Sequence, residues 1–334
     1  MKKIMKWNAI EEKRQQEMKD LLLAANEQLT CATTAEETQK ALAAGADVNT
    51  RWYYKATALL YANTAEQTEL LLAAGADVNA KDLWGTTALM EAQTAEQTRL
   101  LLIAGANVNA KTNNGSTALM LAQTPQQTKL LLAAGADVNA KNKHGRTALM
   151  LAKTAEQTRL LIAAGADVNA KDNHGHTALM LAQTAEQTKL LLAAGANVNA
   201  KDHDGYTALM QAPTIEQTRL LIAAGANVNA KNKHGRTALT YAEKPEQTEL
   251  LLEAGANVFG KYTVSERVEE DFTPAIQPPR YKKILVDICY FAQTSEQRVL
   301  LRQAMVKQWS EHMARKVTSS FRNLFRSQSM ETAS

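Results

Sequence analysis

Cysteine, proline and aromatic residues are scarce in this chain of 334 residues. It holds two cysteines and six prolines, and 5% of its residues are aromatic. Cys31 and Cys289 lie far apart and outside any CxxC or Cys/His spacing, which argues against a cysteine metal site. We expect both to be small buried residues, consistent with a reducing compartment. Few large rings are available to fill one globular core, so the composition favours thin layers of small helices.

Long apolar runs are also missing. No stretch reaches the roughly 18 uninterrupted apolar residues of a membrane-spanning helix. Near the N-terminus, Glu11 and Glu12 interrupt the sequence before the apolar core of a signal peptide could form. We therefore expect a cytoplasmic protein, or one delivered into a host cell by a route that needs no secretory signal peptide. Charge is nearly balanced, with 38 Lys and Arg against 34 Asp and Glu.

What the chain has in abundance is one unit, copied every 30 residues. The segment G-A-(D/N)-V begins at Gly45 and recurs in one register to Gly255, and T-A-L recurs from Thr57 to Thr237. In the copy that begins at Thr147, this threonine is a predicted N-cap for a helix over 148–153.

A second helix follows in the same copy. Residues 154–157 read T-A-E-Q, the T-x-x-Q form of the capping box, and predict its start. Its predicted apolar stripe consists of Leu160, Leu161 and Ala164. Gly165 is the predicted left-handed residue that ends the helix. Helices this short fall below the roughly 12–15 residues needed for marginal stability alone, so each pair must stack on the next.

The pattern D-x-x-G-x-T-A-L followed by L-L-x-x-G-A-D-V-N-A resembles the ankyrin repeat over about residues 27–260. The resemblance implies an all-α ankyrin-repeat solenoid of about nine helix pairs, with N- and C-terminal capping helices. Two features depart from the family. The unit has 30 residues rather than 33, and the usual T-P-L-H reads T-A-L-M, so that methionines replace the hydrogen-bonding histidine. These methionines are Met90, Met120, Met150, Met180 and Met210.

Composition changes divide the chain into five segments. Residues 1–26 are a predicted N-terminal capping helix, and 27–260 form the repeat array. Residues 261–280, with three prolines, are a predicted inserted loop. The segment AQTSEQRVLL then matches the repeat segment AQTAEQTKLL, so 281–306 are a predicted degenerate repeat or cap. Residues 307–334 are a predicted basic amphipathic helix and tail; from residue 281 onward there are nine Lys and Arg against four Asp and Glu.

The copies differ mainly at the tips of the loops between repeats, and these tips are the candidate binding surface. Aromatic side chains cluster in the early tips, whereas polar and basic ones dominate the later tips; a few inner-helix positions also diverge. The candidate partner-binding residues are Trp52, Tyr53, Tyr54, Tyr61, Leu83, Trp84, Glu91, Lys143, His144, Arg146, His174, His176, His203, Tyr206, Lys233, His234, Arg236 and Tyr241. The alternative reading is that exposed tips vary freely.

The resemblance implies a non-enzymatic scaffold that binds another protein along the concave ankyrin face, in the role of an effector or inhibitor, and Trp, Tyr and Arg are the usual anchors of such interfaces. The alternative is a binder of nucleic acid or an anionic membrane through the basic tips and the basic C-terminal helix. No phosphate-binding Gly-rich loop, H-E-x-x-H or nucleophile triad is evident, so we expect no enzyme, no small-molecule substrate and no cofactor. His174 and His176 could chelate, but no ligand set completes a metal site.

Overall fold

The computed structural model describes residues 2–258, 294–301, 303–304 and 307–308. Within this part of the chain all regular secondary structure is helical. Three predicted segments lie wholly or mostly outside the described residues: 261–280 wholly, and 281–306 and 307–334 mostly. Cys289 also lies outside them. The chain divides into two units, residues 1–173 and 174–334, which are described separately.

Each repeat contributes a short inner helix and a longer outer helix. The outer helices are Ala35–Ala43, Ala65–Ala73, Ala95–Ile103, Pro125–Ala133 and Ala155–Ala163 in the first unit, and Ala185–Ala193, Ile215–Ala223 and Pro245–Glu253 in the second. The inner helices are Ala58–Tyr61, Ala88–Glu91, Ala118–Leu121 and Leu149–Leu151, then Ala178–Leu181, Ala208–Gln211 and Ala238–Tyr241. Several of these single turns are 3₁₀ rather than α, and a further 3₁₀ turn covers Tyr53–Lys55.

The capping box predicted for the outer helices is confirmed in full at Thr34, Thr94, Thr124 and Thr184. In the copy at residues 154–157 the Thr154 hydroxyl accepts from the Gln157 amide, while the Gln157 carboxamide oxygen accepts from the Lys153 amide. In the helix Pro125–Ala133, the Thr124 hydroxyl accepts from the Gln127 amide at 3.2 Å, and the Gln127 carboxamide oxygen accepts from the Thr124 amide at 3.1 Å. These bonds satisfy amide groups that a helix leaves open at its first turn. At the other end of each outer helix stands a left-handed glycine, as predicted; Gly165 has φ 86°.

The outer helices bury polar residues where an apolar stripe is expected. In the helix Ala155–Ala163 the buried residues are Gln157, Thr158 and Leu161, while Leu160 is half-buried. Ala164, assigned to the stripe from its spacing, is exposed. That assignment is wrong because the helix ends at Ala163, so Ala164 lies at the C-cap and does not continue the buried face.

The buried glutamine is the link between repeats. Its Nε2 donates to an alanine carbonyl and to a threonine hydroxyl of the preceding repeat; for Gln127 these are Ala92 O at 2.6 Å and Thr98 Oγ1 at 3.4 Å. The Gln127 Oε1 accepts from the two amides that precede its own helix, those of Gln123 and Thr124, at 3.0 and 3.1 Å. The same bond to the preceding alanine carbonyl is made by Gln67, Gln97, Gln127 and Gln157 in the first unit, and by Gln217, Gln247 and Gln297 in the second. We call this series the glutamine ladder.

Asparagine residues make a second series of bonds near the loops. Asn79 Nδ2 donates to Gly105 O at 3.3 Å, and its Oδ1 accepts from the Asn107 amide at 2.7 Å. Lysine side chains also bond to the following repeat; Lys81 Nζ donates to Lys111 O at 3.2 Å. The repeated N-A-K segment therefore has a structural explanation in bonds between neighbouring repeats.

The prediction that the threonine of T-A-L caps the inner helix is wrong in six of the seven copies, those from Thr57 to Thr207. Thr117 makes no side-chain capping bond, and its buried hydroxyl has no hydrogen-bond partner. The amide of Met120, which the hydroxyl would have capped, instead donates to the carbonyl of Thr117 itself at 3.1 Å. The same orphaned hydroxyl occurs at Thr57, Thr87, Thr147, Thr177 and Thr207.

The residue three positions later explains the orphaned hydroxyls. It is Leu60 or one of the five methionines in every affected repeat, and an aliphatic or thioether side chain offers the hydroxyl no good partner. In the exception, Thr240 takes the methionine position and its hydroxyl accepts from the Thr237 amide at 3.4 Å. Replacing the family's histidine by methionine in five repeats, and by Leu60 in one, thus leaves a buried polar atom unpaired in six repeats.

The N-terminal helix, Lys2–Cys31, continues past residue 26 and takes the place of an inner helix beside Ala35–Ala43. Cys31 is exposed at its end, so the prediction that it is buried is wrong. In the first repeat the ladder position holds Glu37, whose carboxylate accepts from the amides of Thr33 and Thr34. These bonds, that from the Thr33 amide first, lower the pKa of Glu37. A carboxylate fits this end of the ladder because it needs no acceptor from an earlier repeat.

At the other end, residues 294–301 continue the ladder. Gln297 Nε2 donates to Ala242 O at 3.1 Å and to Thr248 Oγ1 at 3.3 Å, the contacts that every ladder glutamine makes. Gln308 donates to Ala256 O at 2.8 Å and accepts from the Val258 amide. These residues therefore cover the last repeat of the array.

Removal of one ladder glutamine tests its contribution. Gln127→Ala removes five side-chain hydrogen bonds to groups of two repeats, including those from two backbone amides, and should lower the free energy of unfolding by about 3 kcal/mol. Urea denaturation of the full chain measures the change. Gln126→Ala, at the exposed neighbouring position, is the matched control and should change stability by less than about 0.5 kcal/mol. Equal effects of the two substitutions would show that the ladder contributes nothing specific.

Two buried threonines of the first unit should respond in opposite ways to valine. The Thr98 hydroxyl donates to Thr94 O at 2.9 Å and accepts from Gln127, so Thr98→Val should destabilise by about 1–3 kcal/mol. The Thr117 hydroxyl is unpaired, so Thr117→Val should be neutral or stabilising by up to about 1 kcal/mol. Thermal unfolding of the two variants distinguishes these outcomes, and a loss at Thr117 as large as that at Thr98 would contradict the assignment.

Candidate functional site

The loop tips are held by short-range bonds that leave their side chains outward. In the second tip, Asp82 Oδ1 accepts from the amides of Trp84 and Thr86 at 2.8 and 2.7 Å. Gly85 turns the chain with φ 77°, and a Cβ atom there would stand 3.0 Å from the Asn113 amide nitrogen. Each tip also bonds to its predecessor through the backbone, as in Leu83 N to Tyr54 O at 2.8 Å. The backbone and the Asp82 side chain therefore fix the tip, and the outward residues are free to differ.

The first two tips of the first unit form an aromatic patch, composed of Trp52, Tyr53, Tyr54, Leu83 and Trp84. Tyr53, Tyr54 and Trp84 are 74%, 57% and 55% exposed, and Trp52 is half-buried. The Tyr54 and Trp84 rings lie 5.0 Å apart between centroids, and Trp52 meets Tyr53 edge to face at 5.7 Å. These ring contacts restrain neighbouring side chains while much of their surface stays in water.

The patch is built on a strained backbone. Tyr54 and Lys55 have φ of 59° and 62°, and Lys55 takes the place that Gly85 and its equivalents hold in later tips. Left-handed conformations are unfavourable for residues with a Cβ atom, by about 1–2 kcal/mol each. Such strain clusters at functional sites. Arg51 supports this turn, with Nη1 donating to Lys81 O at 3.0 Å.

Two candidates on inner helices of the first unit, Tyr61 and Glu91, are also exposed. They end the adjacent inner helices Ala58–Tyr61 and Ala88–Glu91, which contact each other. The corresponding leucines of later repeats, such as Leu121 and Leu151, are half-buried. The divergence at these two positions therefore adds one ring and one carboxylate to the surface of the unit.

The polar tip of the first unit is partly neutralised. Lys143 and His144 are exposed, but Arg146 Nε lies 3.5 Å from Asp172 Oδ2, whose side chain is fully buried. A buried carboxylate requires a partner of opposite charge, and Arg146 supplies it. Asp172 is a residue that sequence reasoning missed, because aspartate at this position is explained sufficiently by the turn.

In the second unit, cationic or histidine side chains of the loop tips likewise lie beside aspartates. His176 Nε2 lies 3.5 Å from Asp202 Oδ2, and the His174 ring stands 5.7 Å from that of His176. His203 is exposed. Lys233 Nζ lies 3.5 Å from Asp204 Oδ1, and His234 is exposed beside it in the next tip. No group of three or more His, Cys, Asp or Glu among the described residues is placed to hold a metal ion.

Tyr206 and Tyr241, 35 positions apart in sequence, are brought together. Their rings lie 5.5 Å apart, and the Tyr241 hydroxyl donates to the Tyr206 oxygen at 3.0 Å. Asn232, buried in the neighbouring tip, donates from Nδ2 to the Tyr241 oxygen at 3.0 Å. The hydrogen bond with Tyr241 and partial burial raise the pKa of Tyr206, so its hydroxyl is protonated at neutral pH. Sequence reasoning named both tyrosines but not their contact, nor Asn232.

Comparison with known proteins identifies the family. The model for ankyrin repeats matches residues 57–142, 123–202 and 183–261, which together cover more than half of the chain. The protein belongs to the ankyrin repeat family. Among solved structures, the ankyrin repeat domain of Bcl-3, a member of the IkappaB protein family, is 30% identical, with a TM-score of 0.47 over 58% of this chain and 95% of that one. No curated protein sequence matches the chain.

The family generally mediates protein–protein interaction, and its members are typically not enzymes. The described helices include none that is long and apolar enough to cross a membrane.

The strain under the aromatic patch is measurable. Lys55→Gly relieves a left-handed conformation and should raise the free energy of unfolding by about 0.5–1 kcal/mol, after allowance for the greater freedom of glycine in the unfolded chain. Lys55→Ala removes the same charge and long side chain but keeps the Cβ atom, and should give no gain. Equilibrium denaturation compares the two variants. A gain from alanine equal to that from glycine would assign the effect to charge.

Proposed function

We propose that this protein is a non-enzymatic scaffold that binds another protein, and that the aromatic patch is the principal anchor. The single observation that carries the proposal is the exposure of the Tyr54 and Trp84 rings, which contact each other, on a strained turn. Large aromatic side chains bury 150–250 Å² each, and they dominate interface energetics when a partner covers them. Rings restrained by contact with each other and by backbone strain lose little conformational freedom on binding.

The patch has a defined place in the first unit. It occupies two successive tips, and the exposed Tyr61 and Glu91 end the inner helices that follow those tips. We infer that tips and inner helices together form the binding face, which in this family is the concave one. This protein would then present a rigid surface to its partner. Such a surface suits an inhibitor or an effector that occupies the surface of another protein.

The charges of the described tips favour a protein partner over a nucleic acid or an anionic membrane. Arg146 and Lys233, two of the cations that phosphate binding would use, are paired with Asp172 and Asp204. Lys143 and His144 are exposed, so binding to a nucleic acid or an anionic membrane is tested as well. The salt dependence of binding distinguishes the two functions. Affinity for phosphate groups falls steeply between about 50 and 200 mM salt, whereas the affinity of an interface anchored by aromatic residues falls little.

The test is capture of partners from cell lysate by the full chain and by a triple variant, Trp52→Ala/Tyr54→Ala/Trp84→Ala. We expect the triple variant to lose the specific partner, and single substitutions at Tyr54 or Trp84 to weaken purified complexes by about tenfold or more. Ile103→Ala is the matched control, because Ile103 is 71% exposed on an outer helix away from the tips. Equal capture by the intact protein and the triple variant would rule the patch out as the contact.

A further inference from the structure

The N-terminal helix of the first unit is longer than its contact with the repeats requires. Lys2–Cys31 has 30 residues, which span about 45 Å, whereas the outer helix Ala35–Ala43 has nine. It contacts Ala35–Ala43 and Ala58–Tyr61, and its residues Ala25 and Leu29 are each 3% exposed. Every residue from 12 to 24 is exposed. The repeats therefore hold the helix near its C-terminal end and cover no side of residues 12–24.

One stripe of this helix has the spacing of a coiled-coil seam. Alternating steps of three and four residues connect Ile4, Trp7, Glu11, Arg14, Met18, Leu21 and Ala25. Residues at these steps share one side of a helix, and the same alternation forms the contact between two coiled helices. Met18 and Leu21 are 69% and 68% exposed. The side of the helix that is buried at Ala25 thus continues toward the N-terminus as a stripe with exposed apolar side chains.

The polar residues outside this stripe find partners within the helix. Lys13 Nζ lies 3.7 Å from Glu17 Oε1, and Gln16 Nε2 donates to Asp20 Oδ1 at 2.9 Å. Both pairs are four residues apart, the spacing at which helical neighbours stabilise each other. The apolar stripe cannot be satisfied in this way, because only a second apolar surface removes it from water.

The two charged residues of the stripe select the orientation of a second copy. In a parallel pair each residue faces itself, so Glu11 would face Glu11 and Arg14 would face Arg14, which is repulsive. An antiparallel pair can set Glu11 of each copy opposite Arg14 of the other. The same register sets Met18 opposite Trp7 and Leu21 opposite Ile4, so apolar residues also meet apolar residues. The stripe is therefore complementary to itself in charge and in hydrophobicity.

We propose that the N-terminal helix is a homodimerisation element, in which two copies of this chain pair antiparallel through the stripe over residues 4–21. The apolar residues supply the affinity. Glu11 and Arg14 supply orientation and register, since a charge pair in a seam costs desolvation energy but makes other alignments worse. Ala25 and Leu29, which pack on the repeats, lie outside the overlap and at opposite ends of the helix pair. The repeats therefore need not rearrange when the helices associate.

Sedimentation of the full chain tests the proposal over about 1–200 µM, the range suited to a short helical interface of micromolar affinity. We expect a reversible dimer. Leu21→Asp places a charge in the seam and should weaken the dimer by at least about tenfold. Leu23→Asp is the matched control, because Leu23 is also exposed but lies on the other side of the helix, and it should leave the dimer unchanged. A monomer at all concentrations, or equal loss in both variants, would overturn the proposal.

Charge reversal tests the register. Glu11→Arg sets arginine opposite arginine, and Arg14→Glu sets glutamate opposite glutamate, so each change should weaken the dimer by about tenfold or more. The double variant Glu11→Arg/Arg14→Glu restores both opposite-charge pairs and should associate nearly as well as the parent. Thermal unfolding of the repeats should be the same in all three variants, because both residues lie outside the contact with the array. No recovery in the double variant would contradict the register.

A distance measurement tests the orientation. Cys31 is exposed and accepts a spin label in a chain that carries Cys289→Ser. The proposed register separates the two Cys31 positions by about 55 Å along the helix axis, whereas a parallel pair would bring them within about 10 Å. Electron paramagnetic resonance on the labelled dimer distinguishes the two arrangements. A distance below about 30 Å would overturn the antiparallel pair.

Discussion

Within each of the two units, a buried glutamine carboxamide joins a repeat to the one before it, and the rest of the structure depends on this contact. The outer helices have nine residues, too few to be stable alone. Their glutamine closes the first turn with its oxygen and reaches the preceding repeat with its nitrogen, so one side chain satisfies donors and acceptors from two units. A group buried this completely is costly without partners, which makes the stacked arrangement strongly preferred over any repeat in isolation.

Because the ladder and the backbone bonds of the loops carry the architecture, the tips need no particular side chain. This freedom explains how Tyr54 and Trp84 can be exposed in one unit, and how a hydrogen-bonded tyrosine pair can form in the other. One kind of buried group is nevertheless left without a hydrogen bond. Six repeats keep a buried threonine hydroxyl without a partner, a weakness left where methionine, or Leu60 in one repeat, replaces the histidine.

Much of this could be read from the sequence. The T-x-x-Q spacing predicts the outer capping box, and the 30-residue period predicts the helical stack, because both depend on local residues. The second role of the glutamine could not be predicted, since it requires the position of a neighbour about one repeat away. For the same reason, the contact of Tyr206 with Tyr241 and the pairing of Arg146 with Asp172 could not be predicted from the sequence. The capping role expected of Thr147 was wrong, because the inner helix here is a single 3₁₀ turn that begins at Leu149 after Ala148, and the Thr147 hydroxyl has no partner.

Hydrogen exchange at the amides of Gln93, Thr94, Gln123 and Thr124 tests the central claim most directly, because each donates to a ladder carboxamide at 3.0–3.2 Å. The account predicts that these amides, although they precede helices at the surface, exchange as slowly as the core amide of Leu101. The first-turn amides of Ala95 and Glu96 provide the fast reference. Exchange at the ladder amides as fast as at Ala95 and Glu96 would contradict the account.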